Sequence, residues 1–253
     1  MRDPRAVLDS IPGFAGAELG TRLSGGPTNN SFRVEQDGKS FVLRLDKSEA
    51  TRLGLDRKAE LNVIQVVAEA GLGAHPIYWD VEAGVCIRPY VPGRAWTRDD
   101  LLREGRLERL ATLLRTLHAL PAAGNPFKPL DAAARYARQL GSAEAKRVFE
   151  NAADAFTAIN PPAPALCHND LVCQNILEGD SLTLIDWEYA GMGDPFFDLA
   201  VVVQHHGLSE DLANRLLSSY LQRDIQESDR QPLAAQRRFY KLLLELWTLR
   251  VSM

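Results

Sequence analysis

The sequence has few cysteines, little charge imbalance and no long apolar run. Its three cysteines, Cys86, Cys167 and Cys173, are odd in number and form no C-x-x-C pair. That argues against a disulfide framework or a zinc ribbon and leaves reduced, buried thiols as the expectation. Lys and Arg total 29 against 33 Asp and Glu, a net charge of -4, so the chain lacks the basic excess that binding a nucleic-acid backbone requires. Asp3, Pro4, Asp9 and Pro12 interrupt the first 14 residues where a secretory leader needs continuous apolar chain, and Leu199 to Val203 is far too short to cross a bilayer. A cytoplasmic protein with no membrane or nucleic-acid partner is expected. Internal repeats are missing too. What remains is 253 residues, 45% hydrophobic and 25% charged, an ordinary balance for a folded chain with a substantial core.

The local patterns divide the chain near Pro92-Gly93, a turn signal. Before it, strands dominate, with one helix. Phe32 to Glu35 and Ser40 to Leu45 flank Asp37-Gly38, a dipeptide favoured in two-residue hairpin turns because both positions tolerate positive φ. Leu61, Ile64, Val67 and Ala68 recur at helical spacing within 57–70, and Gly71 closes that segment. Val85, Ile87, Tyr90 and Val91 make a further strand. After it the pattern is mainly helical: a stripe from Leu107 to His118, an Ala-rich helical stretch over 131–159, and helices from Phe196 onward. Two β-prone runs, Ile176-Leu177 and 182–185, interrupt them around Gly179-Asp180-Ser181. The order predicts an α+β fold, with a small β-rich part over 1–92 and a larger helical part over 93–253.

The chemistry is concentrated in His168-Asn169-Asp170 with Asn175, followed by Asp186-Trp187-Glu188. A His-x-Asp-x4-Asn spacing arises by accident in roughly one chain in a hundred of this size and composition. Phosphoryl transfer needs one carboxylate to hold the attacking hydroxyl and hard oxygen ligands for the Mg²⁺ on the polyphosphate. Asp170 as base, with Asn175 and Asp186 as metal ligands, supplies that set and follows the logic of the kinase catalytic loop. The competing bland reading is a capped turn and a solvated hairpin end, since Asp and Asn are common loop residues. His168 reads as a hydrogen-bonded residue behind the loop, His118 and His205-His206 as core or surface residues. Asp194 and Asp198 fit a role in bracing the loop and capping the helix that begins near Phe196.

On these residues, with Gly193-Asp194-Pro195 and Phe197-Asp198-Leu199-Ala200, the sequence resembles the aminoglycoside phosphotransferase and choline kinase superfamily, nearest to its bacterial choline/ethanolamine and thiamine kinase-like members. The resemblance implies the protein-kinase-like bilobal fold, with ATP and Mg²⁺ as cofactors. It implies that Gly25, Gly26 and Asn29 belong to a loop over the nucleotide phosphates, where glycine lets backbone amides approach oxygen closely. Arg44 stands where protein kinases keep a lysine, with Glu60 as its ion-pair partner, and the segment 85–91, including Tyr90, becomes the hinge that meets adenine. Asn169 replaces the usual arginine of the catalytic loop, and no activation segment follows Asp186, which disfavours a protein substrate.

For the acceptor, Glu188 lies two residues from Asp186, so on an extended segment both side chains leave on one side. A carboxylate beside aromatic residues suits a cation; the resemblance points to Tyr189 and Trp247 as lining the acceptor pocket, against the alternative that Trp247 is a core residue. The expected activity is an ATP-dependent kinase acting on a hydroxyl of a small, cationic metabolite of the choline or ethanolamine kind. Thiamine or an aminoglycoside is the alternative acceptor, and a nucleotide-binding pseudokinase without turnover is the alternative from another class.

Overall fold

The computed structural model describes residues 2–23 and 26–252. The chain forms two units, one ending at Pro92 and the other beginning at Gly93.

The N-terminal unit opens with α1 (Pro4–Ser10), capped by the Asp3 side chain accepting from Arg5 N at 3.0 Å, with proline at its first position. There follow β1 (Glu18–Arg22), β2 (Asn29–Gln36), β3 (Lys39–Asp46), α2 (Ser48–Leu53), α3 (Arg57–Glu69), β4 (Tyr78–Asp80) and β5 (Val85–Pro89). Three helices therefore stand where the sequence pattern gave one. Asp3-Pro4 is a helix-start signal, and α2 is too short to show a period. The five strands form one antiparallel sheet in the order β1-β2-β3-β5-β4. Asp37 and Gly38, at φ 50° and 72°, make the two-residue turn between β2 and β3. Phe41, Leu43 and Leu45 of β3 pack with Leu8, Ile11 and Phe14 on one face. The alternate residues Val42 and Arg44 are buried as well, so β3 is covered on both faces, and Arg44 meets α3.

The C-terminal unit contains β6 (Arg94–Ala95), α4 (Arg98–Leu101), α5 (Arg106–His118), α6 (Pro129–Leu140), α7 (Ala143–Thr157), β7 (Ala165–Cys167), β8 (Ile176–Glu178), β9 (Leu182–Leu184), β10 (Gly191–Gly193), α8 (Pro195–His205), α9 (Glu210–Leu221) and α10 (Glu227–Val251). The Ala-rich stretch is two helices, because Gly141 takes φ 64° and Ser142 caps the second by accepting from Ala145 N at 3.1 Å. Helix α5 packs on α9, and α10 packs on α6, α7 and α8. Two small antiparallel sheets, β6-β8-β9 and β10-β7, carry the polar loops. At Gly191 a Cβ would stand 2.3 Å from the Asn125 carbonyl oxygen, so only glycine fits beside that chain. The cysteines are all buried and free.

Candidate active site

The loop after β7 is held from behind by α8. Asp194 caps that helix, accepting from Phe196 N at 2.9 Å. One turn on, the wholly buried Asp198 accepts from His168 N at 2.9 Å and from Asn169 N at 2.7 Å. His118 Nε2 lies 3.0 Å from the same carboxylate, and its Nδ1 is 2.8 Å from the Tyr220 hydroxyl. This clamp forces Asn169 into the left-handed region, φ 64°, which asparagine tolerates better than most residues. The Asn169 amide donates to Tyr189 O at 3.0 Å, which ties the loop to the turn after Asp186.

Asp170 is thereby presented at the end of a rigid turn. Asn175 Nδ2 donates to its carbonyl at 2.9 Å and to its Oδ2 at 3.0 Å. His168, fully buried, donates from Nε2 to Ile185 O at 2.9 Å and accepts at Nδ1 from Asp170 N at 3.3 Å. Burial pushes that imidazole down towards its neutral form, which suits one donating and one accepting nitrogen. Ile185 N donates to Asn175 O at 3.0 Å. His168 and Asn175 thus fix Ile185, and with it Asp186, against the Asp170 loop. Asp186 sits at φ 67°, ψ 65°. Burial pushes the Asp170 carboxyl up to about 7, and the charge of Asp186 adds to it, outweighing the bond from Asn175. Asp170, Asn175 and Asp186 are brought together by the fold.

In the N-terminal unit, Arg44 and Glu60 form a buried, two-pronged pair at 2.5 and 3.2 Å. The sequence did not single out Arg57 or Asp46, yet both join it. Arg57 reaches Glu60 at 2.7 Å and Asp46 at 2.8 and 3.0 Å. The Arg44 guanidinium lies 4.8 Å from the Trp79 ring centre. Burial raises the Glu60 carboxyl, but Arg44 and Arg57 outweigh that and hold it below the usual range. Of the phosphate-loop residues, Gly25 lies outside the described residues, and the exposed Gly26 accepts from Lys47 Nζ at 2.9 Å through its carbonyl. Asn29 is a correction: it is the first residue of β2, paired with Asp46, and its buried amide bonds Thr28 and Ser31 at 3.1 and 3.2 Å rather than lying in a loop. Tyr90, expected in the hinge, follows β5 directly. Its N–H donates to Ser40 O at 3.0 Å, continuing the sheet, and Arg33 stands 4.4 Å over its ring.

The acceptor residues are arranged differently from the extended-strand picture. A 3₁₀ turn, Trp187–Tyr189, follows the left-handed Asp186, so Asp186 and Glu188 do not alternate along a strand. Trp247, half-buried, faces Tyr136 of α6 with ring centres 5.5 Å apart, and the Arg250 guanidinium lies 5.7 and 5.9 Å from the two rings. Burial pushes the Tyr136 hydroxyl up to about 12, and the charges of Asp170 and Glu188 act in the same direction. Tyr189 is likewise raised, by burial first and then by Tyr136, Glu188 and Asp170. Glu188, Tyr189 and Tyr136 therefore share one electrostatic neighbourhood with Asp170. Tyr240, seven residues from Trp247, turns instead to His205 Nδ1 at 2.9 Å.

The family model for the phosphotransferase enzyme family matches residues 20–238. The chain belongs to this family. Protein LicA of Haemophilus influenzae is 28% identical over 207 residues, which cover 78% of this chain and 61% of that relative. A crystal structure of a choline/ethanolamine kinase family protein from Mesorhizobium loti is similar with a TM-score of 0.76 and 27% identity, over 97% of this chain and 84% of that one. LicA in complex with AMP has a TM-score of 0.75 and 22% identity, over 94% and 85% of the two chains, a likeness of fold. The fold is kinase-like α+β, with a β-sheet N-terminal unit and a helical C-terminal unit.

Besides Asp46, sequence reasoning missed three contributors. Arg57 reads as an ordinary first-turn helix residue, Tyr136 lies inside an Ala-rich helix, and His118 ends an apolar stripe, so each looks like packing until its partner is known. Only the Asp198 to loop contact left a signal, in the Asp-Pro-x-x-Asp run that opens α8.

Proposed function

We propose that this protein is a kinase that uses Mg-ATP to phosphorylate a hydroxyl of a small, cationic metabolite of the choline or ethanolamine type, in the cytoplasm. The single observation that carries the reading is Asp170: a carboxylate raised to about 7 by burial and by Asp186, steadied by the Asn175 amide. A base that titrates near neutrality is matched to taking a hydroxyl proton. In this reading the acceptor hydroxyl donates to Asp170, which orients its oxygen and takes the proton as that oxygen bonds to the γ-phosphorus and the bond from phosphorus to the bridging oxygen breaks, releasing ADP.

Asn175 turns its amide nitrogen towards Asp170, so its carbonyl oxygen is the end open to a cation. With the Asp186 carboxylate it makes a hard oxygen pair suited to Mg²⁺. When bound, the ion supplies charge neutralisation on the polyphosphate. The crowding of Asp170 by Asp186 is the repulsion that a cation relieves. Arg44 and the segment around Gly25 and Gly26 are assigned to the nucleotide phosphates, with Glu60 orienting Arg44. Glu188, Tyr189 and Trp247, joined by Tyr136, are assigned to the cationic end of the acceptor, where a carboxylate and aromatic faces attract a quaternary or primary ammonium ion. The rate enhancement rests mainly on positioning and charge neutralisation.

The test is ADP release with Mg-ATP against choline, ethanolamine, thiamine, a sugar alcohol and an aminoglycoside, with Asp170→Asn as control. Turnover on one cation, abolished by the substitution, is the expected result. Retained ATP binding with no turnover on any acceptor would favour the pseudokinase.

A further inference from the structure

Glu60 is shared unequally by two arginines. Its Oε1 takes Arg44 Nη1 at 2.5 Å. Its Oε2 takes Arg57 Nη1 at 2.7 Å and Arg44 Nη2 at a longer 3.2 Å. The other edge of Arg57, through Nε and Nη2, holds Asp46 at 2.8 and 3.0 Å. Glu60 is 2% exposed and Arg57 7%, so these charges are desolvated, and a carboxylate stripped of a partner there is strongly disfavoured. Arg44 meanwhile has a buried Nε with no hydrogen-bond partner, and its ion-pair distance to Asp46 is 3.5 Å. The carboxylates are thus bound more tightly by Arg57 at Oε2 and at Asp46 than by Arg44.

We infer that Arg57 is a positioning residue that keeps Glu60 Oε2 and Asp46 compensated, so that Arg44 gives up its longer contact and turns that edge of its guanidinium to a phosphate oxygen of the nucleotide. The inference rests on the nucleotide reading of this unit given above. A lone arginine–glutamate pair would have to choose between its carboxylate and the phosphate; a second arginine removes the choice. The fork of Arg57 is needed because it spans two carboxylates, which a lysine point charge cannot do with the same geometry.

The experiment titrates the whole protein with Mg-ATP by calorimetry, with acceptor KM and thermal unfolding measured alongside. Arg57→Gln should weaken Mg-ATP binding about tenfold and leave acceptor KM within about twofold. In a Glu60→Gln background the same change should add less than about twofold, because the two residues act through one contact. Mg-ATP affinity within about twofold of wild type in Arg57→Gln would overturn the inference. So would additive losses in the double variant, which would make Arg57 act independently of Glu60. Should Arg57→Gln fail to fold, Arg57→Lys decides: weakened nucleotide binding at unchanged acceptor KM supports the role, and unchanged binding refutes it. Wild-type protein that binds no Mg-ATP refutes the functional reading itself, whereas wild-type binding with an indifferent Arg57→Gln refutes this inference alone.

Discussion

The two polar clusters of this protein treat buried charge in opposite ways. Around Glu60, two arginines and two carboxylates balance, with ion-pair distances of 2.5 to 3.5 Å between the opposite charges. Around Asp170 the charges that act on it are carboxylates: Asp186 and Asp198 both raise it, as burial does, and only the neutral Asn175 amide opposes them. A fold keeps the first arrangement because it holds a strand to a helix. The second costs stability unless something binds there, so uncompensated crowding marks the place where chemistry is done.

The largest effect tests that contrast directly. Asp170→Asn should lower kcat by about a thousandfold, the scale of a lost general base, while Mg-ATP binding persists. Thermal unfolding of the same variant should show no loss of stability, because the substitution removes one of the crowded charges. Activity close to wild type would take the base away from Asp170 and break the comparison at its functional end.

The balanced cluster should behave in the reverse sense. Glu60→Ala leaves Arg44 and Arg57 buried with Asp46 as their remaining acid in the cluster, and urea unfolding should show a loss of about 3–5 kcal/mol. A loss under about 1 kcal/mol would mean that water reaches the cluster, and the distinction between architecture and chemistry would collapse.

Acidity sharpens the contrast further. The folded Asp170 carboxyl, at about 7, is raised above its ordinary value near 3.8, so the fold favours its protonated form. Its contribution to stability is present in full below the ordinary value and is lost as pH rises through 7. The stability of wild type relative to Asp170→Asn should therefore fall between about pH 4 and pH 7. Activity runs the other way, since the base must be deprotonated: kcat/KM for Mg-ATP, which reports the enzyme before the cation binds, should climb about tenfold per pH unit below 7 and level off above it. A flat profile across that window would place the base elsewhere.

Much of this was legible in the sequence, and the reasons it was legible differ. Asp170, Asn175 and Asp186 lie on short loops pinned by their own neighbours, so their spacing along the chain encodes their meeting in space. The Asp37-Gly38 hairpin is local for the same reason. The local settings of Asn29, Tyr90 and Glu188 were not legible because each depends on a hydrogen bond or a turn that spacing does not carry: pairing with Asp46, a bond to Ser40, and the left-handed Asp186. Arg57 and Tyr136 were silent because charges and rings become partners only when distant elements pack. Asp46 is 11 residues from Arg57, and Trp247 is 111 from Tyr136.

The smallest effect concerns the acceptor end. Arg250 already lies over both Tyr136 and Trp247, at 5.9 and 5.7 Å, and donates to the Gln139 side chain at 2.5 Å. The aromatic pair therefore carries a cation of its own, and a cationic acceptor has to share the rings with it or displace it. Removing that guanidinium frees the faces and lifts a like charge, so Arg250→Ala should lower KM for choline about two- to fivefold at saturating Mg-ATP, the scale of one exposed cation–π contact. Trp247→Ala should raise the same KM, because it removes the larger ring face. If Arg250→Ala raises KM instead, the guanidinium attracts part of the acceptor, and the acceptor carries an anionic group that the choline and ethanolamine reading does not provide.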